Sequence, residues 1–233
     1  MQPTARPRVK ICCIQDVDEA WLAIRHGAAA LGLVSAMPSG PGVIGEEMIA
    51  QITPHLPPGV ASFLLTSQQH SDRIIEQQRF CRTNTLQLVD SVPLDTYAAL
   101  REALPGVALV QVIHVVDETA LEEARRVAPL VHGLLLDSGN PALPVKELGG
   151  TGRQHNWAIS RMIRETVEVP VFLAGGLRAE NVAQAVQQVG PFGIDVCSGV
   201  RTEGRLDAAK LAAFFGALRG VPAGGAPAGT EPV

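Results

Sequence analysis

The 233-residue sequence predicts an α/β fold, a single (β/α)8 TIM barrel, on three observations. Eight short apolar runs recur along the chain, segments of helical periodicity lie between them, and glycine-rich loops follow the last three runs.

The apolar runs are residues 9–14, 30–35, 60–65, 85–89, 109–114, 133–137, 169–174 and 193–198. Most are near-continuous rather than alternating, the pattern of parallel strands covered on both faces. Their β-branched content favours strands over short pieces of helix. Among the intervening segments, residues 16–27 bring Ala20, Leu22, Ala23 and Ile24 to one broad face. Residues 117–128 do the same with Ala120, Leu121, Ala124 and Val127, and residues 178–189 with Val182, Ala183, Val186 and Val189. Residues 207–218 make the last helix. Asp16, with Glu19 three residues on, has the signature of a capping box; Asp117 caps without one, since Ala120 stands at the third position. Gly27 ends the first helix. Eight such units in a chain of this length fit a closed barrel better than a doubly wound sheet, which needs longer helices or fewer strands.

The barrel is expected over residues 1–219, followed by a flexible tail, residues 220–233, built from Gly, Pro, Ala and Thr with little to bury. Hydrophobic residues make up 46% of the chain, which argues against disorder elsewhere. The net charge is −4, no run of Lys and Arg marks a groove, and one Tyr and two Trp offer little stacking, so no nucleic-acid partner is expected. Arg6 and Arg8 precede no apolar leader, and no 18-residue apolar span occurs, so the expectation is a cytoplasmic protein without a membrane segment. Cys12, Cys13, Cys81 and Cys197 have no metal-knuckle spacing, and a disulfide framework is not expected in a chain of this size. No metal site is expected, because no His-x-His or matched His/Asp cluster is present.

In a barrel, chemistry gathers where the strands end. Gly149-Gly150-Thr151-Gly152 follows the sixth run, Gly175-Gly176 the seventh and Ser198-Gly199 the eighth. Glycine lets backbone N–H groups approach an anion, so Gly150, Thr151, Gly152, Gly175, Gly176, Ser198 and Gly199 are candidate phosphate ligands. The plainer alternative is that each pair only makes a tight turn. No Gly-Lys-Ser/Thr follows, which disfavours a nucleoside triphosphate. Asp137 closes a strongly apolar strand and is a candidate general base; capping a loop or pairing with an Arg is its bland role. Cys12 ends the first strand as a candidate proton donor, against the reading of an inert buried thiol. Lys10 shares its face and stands either beside the ligand or in an ion pair within the barrel. His114 and Asp90 also end strands, as orienting or structural polar groups, and Cys197 is expected to pack beside the last loop.

In combination these segments resemble the phosphoribosylanthranilate isomerase family. The resemblance is carried by Val9-Lys10-Ile11-Cys12, by Leu134-Leu135-Leu136-Asp137-Ser138, and by Gly149-Gly150-Thr151-Gly152 with Trp157 following. It continues through Pro170-Val171-Phe172-Leu173-Ala174-Gly175-Gly176-Leu177 with Asn181, then Gly193-Ile194-Asp195-Val196-Cys197-Ser198-Gly199-Val200, and Gly204-Arg205-Leu206-Asp207 with Lys210. It implies a cofactor-free Amadori rearrangement of N-(5-phosphoribosyl)anthranilate to the 1-deoxyribulose 5-phosphate aminoketose, in tryptophan biosynthesis. It implies Cys12 as general acid and Asp137 as general base, with Lys10, Gln87 and the glycine loops on a phosphorylated sugar-type ligand. The assembly expected is a monomer or homodimer.

The sequence also departs from the family. Pro41 stands where the family carries an Arg that grips the anthranilate carboxylate, and Cys13 where it carries Gly. Gln87-Leu88-Val89-Asp90 replaces Gln-Leu-His-Gly, and His155-Asn156-Trp157 replaces Phe-Asp-Trp. Arg25, Arg153 and Arg178 are the candidates to replace the missing cation. Two alternatives therefore stand beside the isomerase: an isomerase of a different N-substituted aminoaldose phosphate, and a non-catalytic sugar-phosphate-binding or regulatory barrel.

Overall fold

Strand β1 (Arg8–Ile11) pairs in parallel with both β2 (Ala30–Val34) and β8 (Gly193–Val196), and this double pairing closes the sheet. The computed structural model describes residues 6–150 and 152–221. Between β2 and β8 run β3 (Ala61–Thr66), β4 (Thr85–Leu88), β5 (Ala108–His114), β6 (Gly133–Asp137) and β7 (Val171–Leu173), each parallel to its neighbour. The outer ring is α1 (Val17–His26), α2 (Glu46–Ile52), α3 (Ser71–Cys81) and α4 (Leu94–Ala103), then α5 (Thr119–Val127), α6 (Trp157–Thr166), α7 (Val182–Val189) and α8 (Ala208–Arg219). Closure removes the doubly wound alternative, since an open sheet would leave β1 or β8 with a bare edge.

Local signals place the helix ends. Asp16 caps α1 by accepting a bond from the Glu19 N–H at 2.8 Å, and Gly27 ends it in the left-handed region at φ 110°. The expected capping box does not close on Asp16. The Glu19 carboxylate is drawn instead to the Gln15 N–H and to the guanidinium of Arg201. Asp117 lies outside α5 and accepts from the N–H of Thr119, so the helix starts two residues later than the periodicity predicts. Likewise α7 starts at Val182, because the Asn181 side chain accepts from the Arg178 N–H and holds residues 178–181 as a turn.

The two-residue period of the strands divides the core. Ile11, Leu31, Leu64, Leu86, Leu134 and Ile194 pack outward against the helices in one apolar layer. Ala30, Phe63, Val110, Leu135 and Phe172 form a second cluster inside the barrel. The rings of Phe63 and Phe172 meet edge-on at 5.9 Å, and those of Phe172 and Phe192 at 5.5 Å, plugging the N-terminal half. Gly193 makes room for Phe172, as a side chain there would collide with the ring. A plugged lower half leaves the polar inward positions at the strands' C-terminal ends as the floor of whatever opens there.

The expected tail begins at Gly220, which caps α8; residues 222–233 lie outside the described residues. Among the described residues no helix is long and apolar enough to cross a membrane.

Candidate active site

A cavity of about 660 Å³, counting its open mouth, lies at the C-terminal ends of the strands. Its floor holds Cys12, Gln87, Asp137 and Asp195. One wall is made by Gly149, Gly150, Gly152, Gly175, Gly176 and Ser198; a second, adjoining wall is made by Met37, Ser39, Gly40, Pro41 and Leu65.

The floor follows from strand alternation. Lys10 and Cys12 point the same way from β1, and Gly32 on β2 leaves space for both. A β-carbon there would stand 2.7 Å from the Cys12 sulfur and 2.8 Å from Lys10 Nζ. Lys10 has no exposed surface and donates to Asp195 Oδ1 at 2.9 Å. Burial by itself lowers a lysine pKa, but the Asp195 carboxylate and the Cys12 sulfur outweigh it and the Lys10 pKa is raised. Lys10 therefore stays an ammonium ion, standing behind Asp195 and Cys12 rather than lining the cavity. Burial pushes the Cys12 thiol up to about 11, with Lys10 pulling the other way. At neutral pH the thiol keeps its proton, which is the state a proton donor requires.

Asp137 ends β6 and is 9% exposed. Its Oδ1 accepts from the Ser138 N–H at 2.7 Å, and its Oδ2 faces Gly149. One oxygen is thus oriented by the backbone while the carboxylate lines the cavity. Gln87 also lines it, and its Oε1 is buried without a hydrogen-bond partner. A buried, unsatisfied acceptor in a cavity floor is a ready site for a ligand hydroxyl or amine.

The glycine wall is built by loops stacked on one another. At Gly176 (φ 62°) the backbone of residues 152–154 lies directly above, and a β-carbon would stand 2.8 Å from the Arg153 carbonyl carbon. Gly199 sits under the Leu177 carbonyl oxygen, which would collide with any side chain there. Gly199 therefore packs behind the lining while Ser198 reaches it. Thr151 lies outside the described residues. Beside this wall, His155 accepts from or donates to the Ser160 hydroxyl at 2.7 Å. Burial drives the His155 pKa down to about 4, against the pull of the Asp137 charge. The ring is neutral at pH 7.

A model of the family described as N-(5'-phosphoribosyl)anthranilate (PRA) isomerase matches residues 9–217. The chain belongs to this family. The named isomerase of Methanocella arvoryzae is 34% identical over 208 residues, covering 89% of this chain and 95% of that one. The phosphoribosyl anthranilate isomerase structure from Thermotoga maritima superposes with a TM-score of 0.78 at 27% identity, covering 92% of this chain and 99% of that one. A phosphoribosyl anthranilate isomerase solved in complex with reduced 1-(o-carboxyphenylamino)-1-deoxyribulose 5-phosphate superposes at 0.75 with 26% identity, covering 92% and 99%.

The β2 loop, where the family resemblance leads one to expect an Arg at position 41, adjoins the glycine wall. Pro41 packs directly onto Gly150, and the Ser39 hydroxyl donates to the Lys146 carbonyl at 2.6 Å, so the β2 loop rests on the β6 loop. Among the described residues lining the cavity there is no lysine or arginine. Arg25 is exposed in the last turn of α1, at the far end of the barrel. Arg178 is exposed and paired with Glu180. Arg153 pairs with Glu147 on the loop above the glycines and is the nearest of the three to the mouth. His114 bonds the Val89 carbonyl and Asp90 binds Lys146 at 2.5 Å; neither lines the cavity.

Three features escaped the sequence reading. Asp195 was legible as a carboxylate within the last apolar run, and it pairs in register with Lys10 across β1 and β8. The buried Arg201–Glu19 pair, 3.0 Å apart and joining the end of the barrel to α1, has no local signal because 182 residues separate its partners. The third corrects an expectation: Cys197 does not merely pack beside the loop but forms a disulfide with Cys13. Barrel closure brings their Cα atoms to 5.9 Å across 184 residues of sequence, which spacing rules cannot foresee.

Proposed function

We propose that the protein isomerises N-(5-phosphoribosyl)anthranilate to the 1-deoxyribulose 5-phosphate aminoketose by acid–base catalysis from Cys12 and Asp137. The observation that carries this reading is that a protonated thiol and a carboxylate share one cavity floor, beside a wall of backbone from three glycine loops. Cys12 donates its proton to the ribose ring oxygen, and the ring opens to an iminium. The iminium draws electrons from C2, and Asp137 removes the C2 proton to give an enolamine that tautomerises to the ketone. The backbone of Gly150, Gly152, Gly175 and Gly176, with Ser198 and Thr151, holds the 5-phosphate, so that remote binding energy positions the reacting carbons. Gln87 Oε1 accepts from a sugar hydroxyl or the substrate amine. Lys10 acts through Asp195 and Cys12, and Gly199 by seating Ser198. We read the enzyme as cytoplasmic and as a monomer or homodimer.

The test is turnover of freshly made phosphoribosylanthranilate, followed by loss of its anthranilate-type fluorescence. Cys12→Ala and Asp137→Asn are each expected to lower kcat by about 10²- to 10⁴-fold with the fold intact. Wild-type turnover matched by Asp137→Asn would remove Asp137 as the base. A second reading, an isomerase of a different N-substituted aminoaldose phosphate, is favoured by the lack of a cation along the described lining. Faster turnover of an aniline-type analogue without the carboxylate would select it.

A further inference from the structure

We propose that the Cys13–Cys197 disulfide is a redox-controlled clamp on the phosphate side of the cavity, closed for tight binding and loosened by thiol reductants. Both sulfur-bearing residues line the cavity. Cys13 directly follows the candidate acid Cys12, and Cys197 directly precedes Ser198. The bridge thus ties the end of β1 to the turn that seats the candidate phosphate loop. It also reaches the wall built by the β2 loop, because Gly42 of that loop lies against Cys13 so closely that a side chain at residue 42 would collide with it.

Backbone geometry argues that the clamp is under load. Cys13 occupies the left-handed region at φ 64°, which a residue with a β-carbon adopts at a cost. The bridge is one of the restraints that oppose its relaxation. A second restraint remains when the bridge opens: Arg201 donates to the carbonyls of Cys12, at 3.3 Å, and of Cys13, while its other contacts hold Glu19. Reduction therefore loosens the wall without dismantling it, and the expected effect is several-fold rather than complete.

The chemistry is thiol–disulfide exchange with a small dithiol. A thiolate of the reductant attacks one sulfur of the bridge; the S–S bond breaks and a mixed disulfide forms. The second thiol then displaces the protein sulfur, leaving two protein thiols and a cyclic disulfide. Two electrons and two protons pass from the dithiol to Cys13 and Cys197. Cys197 is only partly buried, which leaves the bridge open to attack from the cavity. Cys12 does not attack it spontaneously, because its thiol remains protonated and its sulfur lies beside Lys10 and Gly32.

That the bridge controls phosphate affinity rests on the proposed role of the glycine wall, whereas its formation does not. The experiment therefore separates the two. Protein purified without reductant is denatured and alkylated, then counted by mass spectrometry; two of the four cysteines should react, and all four after dithiol treatment. Binding of inorganic phosphate is then measured by calorimetry in both states, alongside KM and kcat for phosphoribosylanthranilate. Reduction should weaken phosphate binding and raise KM three- to tenfold while kcat changes less than twofold. The Cys13→Ser/Cys197→Ser double variant should sit at the reduced values and ignore the reductant. A shift in phosphate affinity without any turnover supports the clamp and defeats only the isomerase reading. Four reactive thiols after exposure to oxidised glutathione, equal phosphate affinity in the two states, or a double variant that still responds to reductant would each overturn the proposal.

Discussion

The two walls of the cavity are built on different physical terms. The glycine wall is backbone stacked on backbone: residues 152–154 lie over Gly176, and Leu177 lies over Gly199. The adjoining wall is a loop of side chains, with Pro41 resting on Gly150 and Ser39 tied to the Lys146 carbonyl. A wall of close-packed backbone tolerates almost no side-chain change. A wall of side chains on a loop can be rewritten residue by residue while the strands below remain as they were. By the resemblance stated from the sequence, the first wall matches the family motifs and the second differs from them at Pro41.

Of the two walls, the backbone wall carries the larger expected effect. Gly199→Ala forces its new carbon onto the Leu177 carbonyl, so the Ser198 turn must shift. A displacement of about 1 Å predicts a loss of roughly 100-fold in kcat/KM, mostly in KM for the phosphorylated substrate. An unchanged KM in a folded variant would place the phosphate elsewhere.

Next comes His155, which supports the same wall and is held neutral by burial. Its pKa is about 4 in the folded protein against an ordinary value of 6.5. The unfolded chain therefore takes up the proton first, and stability present above 6.5 is lost as the pH falls toward 4. Urea unfolding at pH 7 and pH 4.5 should differ by about 2–3 kcal/mol from this residue, a difference removed in His155→Phe. An equal drop in both proteins would assign the acid sensitivity to other groups.

The smallest effect belongs to the rewritten wall. Pro41→Arg returns a cation to the rim and should lower KM for the carboxylated substrate about tenfold, the worth of a modest charge-assisted hydrogen bond. It should leave the affinity for inorganic phosphate untouched. A change in phosphate affinity instead would show that Pro41 acts through its packing on Gly150.

Much of this was legible in the chain. The eight βα units, the inward face shared by Lys10 and Cys12, the placement of Asp137 at a strand end and the grouping of the glycine loops all follow from short-range periodicity and turn chemistry. Ends were read less well. The strand expected over residues 9–14 stops at Ile11, because Cys13 turns into the left-handed region, and the strand expected over residues 193–198 stops at Val196.

The sequence by itself determined what repeats along the chain: alternation within strands, helical faces between them, and glycine where backbone must come close. Closure decided the rest. Only the pairing of β1 with β8 sets Lys10 against Asp195, brings Arg201 to Glu19 and joins Cys13 to Cys197. These partners lie more than 180 residues apart, and no local rule of spacing reaches that far. That Pro41 stands where the resemblance implies a cation could be read from the sequence, but that no described lysine or arginine lines the cavity was decided by how the loops pack.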